Sequence, residues 1–311
     1  MNQSEAQPRF SRLMSFVICI LTYIVAIGAA VGILFGLPSS MHILLSTFIA
    51  DIVATLVIYI ISSIFKNTSL YDPYWSVIPI IIAFYWIISA VLDPVVGFKT
   101  THIWILIVVG VWGVRLTYNW ARGWKGLHHE DWRYANFRRN KPKLFWFINL
   151  TGLQLMPTLV VYAGCLSLYP AIVSPTLETM NIFFWLGLII CIAAIVIEAV
   201  ADEHLKIFSD KKEKGELLTK GLWAYSRHPN YLGEISFWYG LYFFSLAASQ
   251  TSNDWFYWWT VFGPVIVTIL FLAISIPMIE KKMMEKYPTY KIYKKKVPIL
   301  IPGFKIKRKR D

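Results

Sequence analysis

The sequence predicts an all-α fold, a polytopic integral membrane helix bundle of about eight transmembrane helices with both termini cytoplasmic. Three observations carry that expectation. The 311 residues are 57% hydrophobic, and the mean hydropathy is +0.53. Only 15% are charged, against about 25% in an ordinary soluble domain. The basic residues, finally, fall between long apolar runs rather than on the faces of amphipathic elements.

A crossing needs about 20 mostly apolar residues. Eight stretches qualify: 15–37, 42–64, 74–92, 102–121, 144–169, 181–201, 231–249 and 255–279. The first outruns the roughly 7–15-residue core of a signal peptide, so it is expected to stay in the bilayer. The third is short and contains Pro79, which allows a tilted or re-entrant segment. Placing the connections on alternate sides puts 29 of the 30 Lys and Arg on one side and Lys99 alone on the other. By the positive-inside rule the rich side is cytoplasmic. The long polar connections 122–143 and 202–230 and the tail from 280 lie on that side, which is where function is expected. The net charge of +12 is thus explained by topology, with membrane lipids as partners and no nucleic acid. Cys19, Cys165 and Cys191 lie in apolar stretches without metal or disulfide spacing.

Ionisable residues inside spans are costly and mark function by default. Here they are Asp51, Arg115, Glu198 and Glu234, with Asn119 and Gln154 nearby. Glu198 and Asp202 are four apart and share a helix face, like one wall of a polar cavity; snorkelling toward headgroups is the bland alternative. Asp51 is mid-span and reads equally as an interhelical hydrogen bond or as part of a substrate channel. His128 and His129 are adjacent without HxxxH or HExxH spacing, so no metal is expected. No GxGxxG, GxxxxGK[ST] or GxSxG occurs, and a nucleotide would have to be held by the membrane domain itself.

The densest polar motif runs from Lys220 to Glu234 and enters the seventh span as Ser226-Arg227-His228-Pro229-Asn230-Tyr231-Leu232-Gly233-Glu234. Pro229 suits a first helical turn, Asn230 and Glu234 share a face, and Arg227 offers a bidentate fork for phosphate. Arg227 and His228 as headgroup anchors form the alternative. This motif resembles the steroid 5-alpha-reductase superfamily, which includes the sterol C14 reductases, in its bacterial-type branch. The resemblance extends to Ala201-Asp202-Glu203-His204-Leu205, to Gly123–Leu127, to His129-Glu130-Asp131-Trp132-Arg133-Tyr134, to Asp72-Pro73-Tyr74-Trp75-Ser76 and to the tail from Glu280 to Pro302. The RHPNYxxE core is also similar to prenylcysteine and phospholipid methyltransferases, which use S-adenosylmethionine.

The resemblance implies an enzyme that passes hydride from NADPH to a conjugated carbon–carbon double bond of a lipophilic substrate. It divides the chain into N-terminal membrane helices, 1–69, a reductase-like domain with a cytoplasm-facing cofactor cavity, 70–304, and a basic tail, 305–311. The cofactor positions it implies are Arg115, Glu198, Asp202, Arg227, His228, Asn230, Tyr231 and Glu234, where Glu198 replaces an amide of the steroid reductases. Glu234 is also counted as catalytic. The substrate-polarising acid falls on Asp72, expected to be kept protonated by burial, while the family's partner tyrosine falls on Trp112, which cannot donate as a phenol can. Asp72 itself is the first candidate for the proton donor, and Tyr118 or Tyr85 is the other. The alternatives are an S-adenosylmethionine-dependent methyltransferase and a non-catalytic lipid-binding protein that has lost proton delivery.

Overall fold

A computed structural model describes residues 10–177, 180–211, 215–252 and 255–303; the basic tail 305–311 lies outside them. The fold is 79% helical, and the described residues contain no strand. Among the described residues, thirteen α-helices follow one another: α1 (Arg12–Gly36), α2 (Ile43–Ile64), α3 (Tyr74–Leu92), α4 (Thr100–Gly123), α5 (Trp132–Asn140), α6 (Phe145–Ile148), α7 (Met156–Cys165), α8 (Tyr169–Val173), α9 (Ile182–Lys211), α10 (Pro229–Ser252), α11 (Phe262–Ile269), α12 (Ile276–Lys286) and α13 (Tyr290–Lys296). π-helical stretches join α6 to α7 over Asn149–Leu155 and α11 to α12 over Leu270–Ser275.

Among the described residues, seven helical segments are long and apolar enough to cross a membrane: Arg12–Gly36, Ile43–Ile64, Thr68–Leu92, Thr100–Gly123, Pro142–Cys165, Ile182–Lys211 and Tyr257–Lys286. The expected span without a counterpart among these, the seventh at 231–249, is α10. Its 24 residues reach about 36 Å at 1.5 Å per residue, but Trp, Tyr, Ser and Gly make it too polar to count by composition. Pro79 lies inside α3 without ending it. The helix α9 runs ten residues past the expected end of its span, to Lys211.

The chain forms two compact units. The first comprises residues 1–86 and 109–162, the second 87–108 and 163–311. In the first, Ser11 caps α1 by accepting from the Met14 amide. Ser15, Cys19, Thr22 and Ala26 form the buried stripe of α1, while Leu13, Ile20, Ile24 and Phe35 on its other faces are exposed, as suits a helix wetted by lipid. Small residues allow close approach where lipid offers no hydrophobic drive between helices. At Gly113 of α4 an added Cβ would stand 2.3 Å from the Ser76 carbonyl oxygen of α3. The Arg12 guanidinium takes carbonyls at the end of α4, donating to Trp124 and Ala121 at 2.9 Å each.

In the second unit α9 and α10 are pressed together at three glycines. An added Cβ at Gly187 would meet the Gly240 carbonyl oxygen at 2.8 Å, one at Gly240 the Cys191 Sγ at 2.5 Å, and one at Gly233 both the Ala194 carbonyl oxygen and the Glu198 Cβ at 2.8 Å. The last of these contacts sets Glu198 against the turn that carries Asn230 and Glu234.

Candidate functional site

In the first unit the polar chemistry gathers where the loop after α2 meets the loop before α5. Asn67 donates to the Leu127 carbonyl at 2.8 Å, and the Thr68 amide donates to Glu130 Oε1 at 2.9 Å. Arg138 binds both oxygens of Glu130, through Nη2 at 2.8 Å and Nε at 3.1 Å, a fork geometry that resists rotation. The Asp131 amide donates to Ser69 Oγ at 2.9 Å, and the Asp131 carboxylate caps α5 through the Arg133 amide.

This lattice aims one side chain. The Tyr134 hydroxyl donates to Asp72 Oδ1 at 2.5 Å, the short range of O–H···O⁻ bonds. Arg133 Nη2 stands 3.9 Å from the same oxygen, and its Nε is paired with Asp131 at 2.7 Å. Tyr134 is buried, and burial first, then the Asp72 charge, pushes its phenol well above its ordinary value. The hydroxyl therefore keeps its proton at neutral pH. Although burial opposes it, the Tyr134, Asp131 and Asp72 side chains hold Arg133 charged.

The substitutes expected for the missing phenol sit elsewhere. Tyr118 is 64% exposed, on the outer face of α4 beneath the Arg122 guanidinium at 5.7 Å. Tyr85 is half-buried three turns along α3 from Tyr74. Neither is held against an acid by a described hydrogen bond, whereas Tyr134 is. Trp112 is fully buried and packs edge-on against Trp75 at 6.1 Å, a space-filling role. Asp51, also in this unit, accepts from the Tyr74 hydroxyl at 2.7 Å, the interhelical bond that was one of its two readings.

The second unit holds the motif of 220–234. Arg227 and His228 precede α10, and their amides donate to the Pro298 and Ile299 carbonyls at 3.0 and 3.2 Å. The Arg227 guanidinium is committed inside the protein. Its Nε pairs with Glu280 Oε1 at 2.8 Å, and Nη1 donates to the Lys294 and Val297 carbonyls at 2.6 and 3.1 Å. Glu280 also meets His228 Nε2 at 3.3 Å and Lys294 Nζ at 2.5 Å. The expectation that Arg227 forks onto a phosphate is at odds with this arrangement: two of its three nitrogens are used, and its side chain is 6% exposed. Arg227 instead ties the start of α10 to the segment after α13.

The remaining motif residues lie on the first turns of α10 and on the α9 face packed against it. The His228 and Tyr231 rings stack at 5.5 Å, and Tyr231 meets Phe271 of the second π-helical stretch at 4.7 Å. Glu198 and Glu234 are buried, and Asp202 is half-buried. Glu234 Oε1 accepts from Trp238 Nε1 at 2.7 Å. Asn230 Oδ1 is buried with no hydrogen-bond partner, an acceptor left for a ligand amine or amide. Arg115 belongs to the first unit, half-buried on α4.

Two functional candidates escaped sequence reasoning. Tyr134 stood within a quoted motif but lies 62 residues from Asp72. Glu280 opens the polar tail from 280; the signal for it is an acid at the end of a long apolar run. His128 and His129 are exposed, and among the described residues no group of three or more potential ligands could hold a metal.

Residues 58–297 match a family described as a protein of unknown function (DUF1295). An uncharacterized protein of the fission yeast Schizosaccharomyces pombe, C594.04c, is 26% identical over 263 residues, covering 76% of this chain and 73% of the relative. No solved structure matches.

Proposed function

The chain belongs to the DUF1295 family, and from the geometry of its polar sites we propose that it is a membrane-embedded, NADPH-dependent reductase of a conjugated carbon–carbon double bond in a lipophilic substrate. The observation that carries the reading is the buried phenol–carboxyl pair of Tyr134 and Asp72, 2.5 Å apart. NADPH, when bound, supplies a hydride. The enolate oxygen that develops on a reduced enone then needs a preorganised donor in a water-poor site, an effect worth several kcal/mol. In this reading the proton leaves a protonated Asp72 for the enolate oxygen, and the carboxylate left behind is held by the Tyr134 hydroxyl and by the Arg133 guanidinium.

The fit of the second unit to the cofactor is at one end. The Asn230 Oδ1 acceptor suits a nicotinamide carboxamide NH2, and the Tyr231 ring offers a flat wall beside it. Arg227 is not assigned to phosphate, because Glu280 holds it. That same observation favours a second reading, in which the cofactor is S-adenosylmethionine, which carries no phosphate. The connections 122–143 and 202–230 are assigned to the cytoplasmic side from the distribution of Lys and Arg.

One titration separates the readings. Purified full-length protein in detergent is expected to bind NADPH and not S-adenosylmethionine, and Asp72→Asn and Tyr134→Phe are expected to keep that binding. With an enone found by screening, each variant should lose about 10²–10⁴-fold in turnover, the range for lost general-acid catalysis. Binding of S-adenosylmethionine alone, or full turnover in both variants, would overturn the reductase reading.

A further inference from the structure

The bond from Tyr74 serves one oxygen of Asp51 and leaves the other without a donor. Asp51 lies about 12 Å from the start of α2 and about 20 Å from its end, deep within a hydrocarbon layer of roughly 30 Å. It is 2% exposed. Oδ1 accepts from the Tyr74 hydroxyl, whereas Oδ2 is buried with no hydrogen-bond partner. Among the described residues no cationic side chain acts on it.

The hydroxyls around Asp51 have no hydrogen left for Oδ2. Thr158 donates to the Gln154 carbonyl at 3.0 Å. Thr55, one turn beyond Asp51 on α2, and Tyr71 stand 2.9 and 2.8 Å from the Thr158 hydroxyl oxygen, so each of them is the donor in its bond. Tyr74 gives its hydrogen to Oδ1, and the Thr55 hydroxyl lies beside it. What the cluster keeps is lone pairs on oxygen, all within the first unit.

Those lone pairs select the ligand. A set of acceptors without hydrogens takes a cation and repels an anion, and an ionisable residue inside a span marks such a site. One carboxylate balances one positive charge. Ca2+ takes six to eight oxygen ligands and Mg2+ keeps several waters, neither of which suits a lone acid that is 2% exposed. With a single acid and no His or Cys, the cluster is also unlike the groups that hold transition metals. The fully buried Tyr71 and Tyr74, and Trp86 bonded to Thr47 one turn before Asp51, close the surroundings to an organic cation.

We propose that this cluster binds a small monovalent cation of the sodium class, with Asp51 Oδ2 as the charged ligand and the Tyr74 and Thr55 hydroxyl oxygens as neutral ones. The site is independent of the reductase reading, because ion binding is measured without cofactor or substrate.

The test uses purified full-length protein in detergent, exchanged into choline chloride, with radioactive Na+ as the probe. The wild type is expected to retain Na+ saturably, displaced by unlabelled NaCl and not by choline chloride, and NaCl should raise its melting temperature where choline chloride does not. Asp51→Asn, whose amide oxygen still accepts from Tyr74, should abolish both effects with helix content unchanged. Thr55→Val, close in shape, should weaken Na+ binding about tenfold, the effect of one lost polar contact, and it carries the test if the Asn variant does not fold. Asp93→Asn, which removes an exposed acid, should change neither effect. No saturable retention by the wild type, undiminished retention in Asp51→Asn or in Thr55→Val, or an equal loss in Asp93→Asn would each overturn the proposal. So would a melting temperature that responds to acid and is blind to Na+, which would leave Asp51 a protonated structural acid.

Discussion

Replacing Glu280 by Gln tests the clasp that holds the motif loop. The wild-type carboxylate is 5% exposed and faces a 6% exposed Arg227 guanidinium at 2.8 Å, with Lys294 at 2.5 Å and His228 at 3.3 Å. Removing one partner of a buried pair costs about 3–5 kcal/mol, because the other charge is left uncompensated. Arg227 would keep its bonds to the Lys294 and Val297 carbonyls, which puts the expected loss near the lower limit, about 3 kcal/mol. That corresponds to roughly a hundredfold rise in the open population of the clasp. The loss should be local, since residues 287–299 are tied to the motif by the Arg227 and His228 amides and by the Tyr293 hydroxyl, which donates to the Trp223 carbonyl at 2.6 Å. Hydrogen exchange in detergent should therefore speed up about a hundredfold over 287–299 and little in α1 and α2. Glu285→Gln, an exposed acid on the same helix, should change stability by less than about 0.5 kcal/mol. Replacing both partners, Arg227→Met with Glu280→Leu, should recover most of the protection. Unchanged exchange in Glu280→Gln would refute the argument and return Arg227 to ligand binding.

Further outcomes follow from packing, titration and topology. Gly113→Ala places a Cβ 2.3 Å from the Ser76 carbonyl oxygen and should destabilise by about 1–3 kcal/mol, read as a lower melting temperature in detergent. Gly110→Ala, three residues away with nothing within 4 Å, should be close to neutral, and equal melting of the two variants would contradict the helix crossing. Burial pushes the Tyr293 phenol up to about 12, from about 10 in an unfolded chain. The folded state then holds the proton more tightly, so its contribution is complete below pH about 10 and is lost as pH rises toward 12. Tyr293→Phe should flatten that alkaline loss of protection at 290–299. A reporter fused after Asp311 should be cytoplasmic, and an exported reporter would reverse the orientation read from the basic residues.

The spans were legible because their signal acts without tertiary context. A run of apolar side chains has to be long enough for the bilayer. The expected limits of α1, α2 and α3 thus fall within a few residues of the observed ones. The limits of α9 and the count of spans were less legible. Past Ala201 the helix turns polar yet continues to Lys211, and α10 carries aromatic and small side chains that suit a helix packed on α9 better than one immersed in lipid. The site was legible as composition and not as pairing. Asp72, Arg227 and Asn230 could be named as residues whose charge or amide needs a partner, but the partner depends on what the fold places beside them. For Asp72 it is Tyr134, delivered by the Glu130–Arg138 lattice. For Arg227 it is Glu280, so the residue that looked most available for phosphate is the one most fully used. Asn230 has no partner for its Oδ1, and an unmet acceptor in a buried place is a stronger pointer to a ligand than a charge already paired. If a cofactor binds the second unit, its affinity should depend more on Asn230 than on Arg227: Asn230→Leu should weaken it without loosening 287–299, and Arg227→Met should loosen that segment first. The opposite order in a single series of titrations and exchange measurements would make the clasp the binding site and the amide a bystander.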